Sequence, residues 1–64
     1  MDKKYQDIRF KLRDEIIIFR RLEILDIRFE NNCINIRVKR HTGDYVTLEI
    51  ITIPIISMLS MTID

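Results

Sequence analysis

The chain has 64 residues, with 11 Lys and Arg against 10 Asp and Glu, and a formal net charge of +1. That is enough for one small domain, and a domain of this size buries only about 60% of the surface its unfolded chain exposes. At 47% hydrophobic and 33% charged, the composition is that of a folded globule and not of a disordered segment. One Cys and one His exclude a disulfide framework and a structural zinc site, which takes about four such ligands, so neither a metal nor a cofactor is expected.

The first segment, about residues 3–20, predicts a helix. Tyr5, Ile8, Leu12, Ile16 and Phe19 are spaced 3, 4, 4 and 3 residues apart, and at about 100° per residue they share a stripe roughly 80° wide. Asp2 stands where an N-cap would, and Arg20 and Arg21 close the last turn, as the helix dipole prefers. A strand competes for the same residues. Ile8, Phe10 and Leu12 alternate, and Ile16-Ile17-Ile18 is β-branched and stiff at χ1. The length of the stripe favours the helix.

From residue 23 the period changes to two, and three strands are expected at about 23–30, 33–40 and 44–52. Leu25, Ile27 and Phe29 form one apolar row, Ile34, Ile36 and Val38 a second, and Val46, Leu48 and Ile50 a third. Asn31-Asn32 suits a two-residue type I′ turn and pairs Phe29 with Ile34, Ile27 with Ile36 and Leu25 with Val38. A three-residue loop with Gly43 left-handed pairs Val38 with Val46, Ile36 with Leu48 and Ile34 with Ile50. All nine apolar side chains then share one face, which the helix covers. Asp26, Arg28, Asn35, Arg37, Thr47 and Glu49 fall on the other face as complementary, solvated pairs. Residues 54–62 read as an apolar cap, a short helix opened by Pro54 or an extension. The expected fold is α+β, with residues 1–64 a single domain in α-β-β-β-α order. Its N-terminal helix packs on a three-stranded antiparallel meander.

The longest run without a charge, 50–63, is broken by Pro54 and falls short of the roughly 20 residues a spanning helix requires. The charged start from Met1 to Asp7 does not read as a secretory signal, and none is expected. No membrane partner is expected, and the cytoplasm is the expected compartment (the host cytoplasm if the gene is viral). Fourteen Ile and no Ala suggest an AT-rich source.

Catalytic constellations are hard to assemble from these residues. Cys33 and His41 stand at the two ends of one expected strand, about 26 Å apart, whereas a nucleophile and its base need contact at about 3 Å. Asp26 and Glu30 are about 13 Å apart on a strand, and Asp14 and Glu15 point apart on a helix. No Gly-rich phosphate loop is present. The chain is not expected to be an enzyme.

What remains is surplus apolar surface. Phe10 and Ile17 lie on the outer side of the expected helix, and Met58 and Met61 lie on a tail too short to bury both its sides. A three-stranded meander also leaves two open edges. These features predict a protein-binding module, a homodimer, with Phe10, Ile17, Met58 and Met61 at its interface. A free-standing module of this kind suits an inhibitor of a host or defence protein, anti-CRISPR-like in its action, that works by occupying a partner's surface. The alternative is a small nucleic-acid-binding regulator. Arg9, Arg13 and Arg20 form one helix stripe, and Arg37, Lys39 and Arg40 form a basic hairpin tip; joined, the two would track phosphates. A solvated helix flank is the plain reading of the same arginines.

Overall fold

Alternation, not helical spacing, governs the first twenty residues. In the computed structural model, which describes residues 4–64, Ile8 and Phe10 turn inward while Arg9 and Lys11 turn outward along strand β1 (Gln6–Leu12). A tight turn follows, closed by the Leu12 N–H donating to the Glu15 carbonyl at 2.8 Å. Strand β2 then runs fifteen residues, Ile16–Glu30. The expected helix over 3–20 is therefore replaced by β1 and the first part of β2, and the fold is nearly all β, not α+β. The β-branched run Ile16-Ile17-Ile18 prevails over the helical stripe, because an extended chain seats branched side chains at less rotamer cost. The N-cap expected at Asp2 lies outside the described residues.

The rest is one antiparallel sheet. Strand β3 is Cys33–Thr42 and β4 is Tyr45–Pro54; a 3₁₀ turn, η1 (Ile55–Ser57), leads to β5 (Met58–Ile63). The order across the sheet is β4-β3-β2-β1-β5. The segment expected as an apolar cap is thus η1 plus an edge strand on β1, with Phe10 opposite Met61 and Ile8 opposite Ile63.

Ile8, Phe10, Leu22, Ile34, Ile36 and Val38 are 0% exposed, although among the described residues no helix lies over the sheet. A flat sheet cannot enclose its own face, so this one curls around a single shared cluster. The core gathers side chains from β1 through β4, and Met58, Met61 and Ile63 of β5 pack against them. Two bulges in β2 allow the bend. At the first, Arg20 and Arg21 together oppose Asp7, and Arg21 has φ 57°; at the second, Leu25 is left out of register between Ile24 and Asp26. Bulges bend a strand and increase its twist. The residues before the first pair with β1, and those after it pair with β3.

The two hairpins fare differently. Asn31 and Asn32 both have positive φ, 52° and 61°, and the expected pairs Phe29 with Ile34 and Ile27 with Ile36 are present. The second bulge then gives Val38 to Ile24 in place of Leu25. At the next hairpin the loop has two residues, Gly43-Asp44, with Thr42 opposite Tyr45. Gly43 stands at the first central position with φ 59°, as a type II′ turn requires. The shorter loop moves β4 three places, so Val38 faces Glu49, Ile36 faces Ile51 and Ile34 faces Ile53. An odd shift turns the strand over. Ile51 and Ile53 enter the core, and Val46, Leu48 and Ile50 are carried to the outside.

Candidate interaction surface

β4 is an edge strand ten residues long, and its register with β3 is continuous from Cys33–Pro54 to Thr42–Tyr45. Val46, Leu48 and Ile50 stand on its outer face, 55%, 72% and 65% exposed. Between Tyr45 and Pro54 its one ionisable side chain other than the Tyr45 phenol is Glu49, which turns to the inner side and is already bound. Arg40 Nε donates to Glu49 Oε2 at 2.7 Å, and the Thr47 hydroxyl donates to the same oxygen at 3.2 Å. The Arg40 hydrogen bond and charge hold the Glu49 carboxyl below its ordinary range, with Thr47 adding to the effect and desolvation opposing it.

The outer face is graded in chemistry from strand to strand. One row runs Glu23, Lys39, Leu48, and the next runs Asp26, Arg37, Ile50. Acid lies on β2, base on β3, and apolar side chains at the edge. The Arg37 guanidinium donates to Asp26 at 3.2 Å, and His41 Nε2 lies 3.4 Å from Glu23 Oε1. Arg37 is therefore met from within the chain, Lys39 makes no ion pair among the described residues, and the edge strand presents its apolar row. Leu25, turned outward by its bulge, joins Arg37, Lys39, Leu48 and Ile50 around an open groove of about 510 Å³.

The four residues expected at an interface lie elsewhere. Phe10 is fully buried and meets Phe19 edge to face, ring centroids 6.1 Å apart; its position on β1 points it into the core. Ile17, Met58 and Met61 are half-buried and pack against that core. The expected basic surface is not assembled either. Arg9 lies on the outer face of β1, opposite Ile18 and Thr62, and Arg13 lies in the β1–β2 turn. Arg20 reaches Asp7 at 3.8 Å. Arg37 pairs with Asp26, Arg40 pairs with Glu49 on the inner side, and Lys39 lies on the outer face between Glu23 and Leu48. Arg9 and Arg37 meet β2 at Ile18 and Asp26, eight residues apart and on either side of both bulges. Arg9 and Lys11 have no acid within ion-pair distance among the described residues.

Cys33 and His41 fall at opposite ends of β3, facing Pro54 and Val46. Among the described residues no cluster of three His, Cys, Asp or Glu side chains is arranged to hold a metal ion, and no helix is long and apolar enough to cross a membrane. A three-residue loop at Gly43 places the β4 row in the core; the two-residue Gly-Asp turn, itself a hairpin signal, exposes Val46, Leu48 and Ile50. Comparison with protein-family models, with curated proteins and with solved structures finds no match for the chain.

Proposed function

We propose that this chain is a non-enzymatic protein-binding module that takes on another polypeptide by strand addition at β4. One observation carries the reading: β4 is a long, unbulged edge with an exposed apolar row and no unpaired charge. Folded proteins ordinarily protect such an edge with a Lys, a Pro, a bulge or a short length, because its unpaired N–H and C=O groups template further strands. Pro54 lies only at the far end of β4. Main-chain hydrogen bonds would supply affinity, and the Val46, Leu48, Ile50 row would supply selectivity for an apolar strand. Binding is itself the action, as in an inhibitor of a host or defence protein that works by occupancy.

The test compares proteins that co-purify with the wild-type chain, with Leu48→Asp, and with the double variant Arg9→Glu, Lys11→Glu. Loss with Leu48→Asp and retention with the charge reversal is expected; the opposite pattern overturns the reading. Arg9 and Lys11, side by side on β1 and in no ion pair among the described residues, favour nucleic-acid binding as a second reading. Labelled single- and double-stranded oligonucleotides at roughly 50 and 200 mM salt decide it, since several phosphate contacts cost two or more decades of affinity across that range.

A further inference from the structure

We infer that the polypeptide added at β4 is a second copy of this chain, paired antiparallel so that Leu48 of one copy lies opposite Leu48 of the other about a two-fold axis. The inference rests on the strand-addition reading and names the partner. A two-fold axis through a sheet edge keeps the outer faces on the same side, so a symmetric pairing must be centred on a residue. Few centres are open, and the side chains choose among them.

Centred on Leu48, Val46 stands opposite Ile50 and Leu48 opposite Leu48, so the two apolar rows merge into one cluster of six side chains. Thr47 then stands opposite Glu49, adding a hydroxyl beside a carboxylate that already accepts from Arg40 and its own Thr47. Tyr45, 77% exposed, comes alongside Ile51. Centred on Thr47, Ile50 would face Asp44. Centred on Glu49, two carboxylates would face each other, and like charges directly opposite are destabilising. Centred on Ile50, Glu49 would face Ile51 and Leu48 would face Thr52. The Val-Thr-Leu-Glu-Ile run is self-complementary about its middle residue and nowhere else along β4.

Charge argues the same way. On the edge strand the one carboxylate, Glu49, is answered by Arg40, and beside it Arg37 is answered by Asp26 while Lys39 makes no ion pair among the described residues, so the edge strand itself offers an uncharged row to a strand as uncharged as itself. The other free edge is a poorer match. β5 is six residues long, and opposite Lys11 and Arg9 it carries Ser60 and Thr62, which would set hydroxyls against the apolar row. An edge pairing buries less than the roughly 1,600 Å² of a standard interface, so the dimer is expected to dissociate on dilution.

Sedimentation over roughly 5–500 µM should show the mass rising from the 7.8 kDa of one chain toward twice that value. Leu48→Asp, at an exposed position where the fold is checked by circular dichroism, should stay at one chain throughout. Register is read separately in a Cys33→Ser background under mild oxidation. Leu48→Cys should give a disulfide-linked dimer, because facing positions have Cβ atoms about 5 Å apart. Ile50→Cys should not, since two such residues would lie about 13 Å apart. A single-chain mass at every concentration, a larger ring, or equal cross-linking at both positions overturns the inference. If the wild-type chain is monomeric and Leu48→Asp still loses a co-purifying protein, the second copy is wrong and the β4 reading stands. If the variant loses nothing, both fall.

Discussion

The Arg21 backbone N–H donates to the Asp7 carboxylate at 2.8 Å, across the place where one residue of β1 faces two of β2. The same carboxylate lies 3.8 Å from the Arg20 guanidinium. One acid therefore satisfies the donor that the bulge frees and anchors the bend that lets β2 serve both halves of the sheet. Asp7→Ala is expected to cost about 1 kcal/mol, measured as a lower urea midpoint.

Arg21 itself has φ 57°, a conformation glycine adopts freely and a β-branched residue resists. Arg21→Val should destabilise by roughly 1–3 kcal/mol. Arg21→Gly should be close to neutral, with the relief of strain offset by loss of the guanidinium 5.2 Å over the Tyr5 ring. Equal losses in the two variants would show that backbone strain is not what Arg21 contributes.

Phe10 marks the difference between a core and a surface reading of the same residue. Phe10→Ala should cost about 3–5 kcal/mol, a large share of the stability of a chain this short, and leave much of it unfolded. An interface residue would change association and leave the unfolding midpoint in place. Chemical denaturation with far-ultraviolet circular dichroism separates the two.

Asn31 and Asn32 both occupy the left-handed region, where glycine is less strained. Asn32→Gly gives the Asn-Gly pair favoured in type I′ hairpins and should raise stability by up to about 1 kcal/mol. A fall in the thermal midpoint would mean that the Asn32 side chain contributes more than its backbone conformation.

Glu49 carries a pH dependence of predictable sign. Its carboxyl is held below the ordinary value of 4.5, chiefly by the Arg40 hydrogen bond. A group whose pKa is lower folded than unfolded stabilises at neutral pH, and that contribution vanishes as the pH falls from the unfolded value through the folded one. Glu49→Gln should therefore flatten the loss of stability on acidification below 4.5. An unchanged acid profile would show that other carboxylates carry it.

The Asn31-Asn32 hairpin was legible because turn chemistry and alternation named the same pairs, Phe29 with Ile34 and Ile27 with Ile36. The N-terminal half was not. Tyr5, Ile8, Leu12, Ile16 and Phe19 fit a helical period by coincidence, and the Arg13-Asp14-Glu15 turn contains neither Gly nor Pro to interrupt it. Bulges compounded the difficulty, since the Arg20-Arg21 insertion shifts the inward residues from Phe19 to Leu22 and no sequence signal marks it. The candidate surface depended on one loop residue. With Gly43 in a three-residue loop, Leu48 is core; with Gly43-Asp44 as the whole turn, it faces solvent.

β2 serves as a splint. Because Ile16–Glu30 is continuous and pairs at one end with β1 and at the other with β3, the molecule has no seam along which half could loosen while the other half stays intact. Pulling β1 away uncovers Phe19 and Leu22, and pulling β3 away uncovers Leu22 and Ile24. The halves share a backbone and, at Leu22, a side chain, so damage on either side is expected to be transmitted across the bend and the sheet to unfold as one cooperative unit.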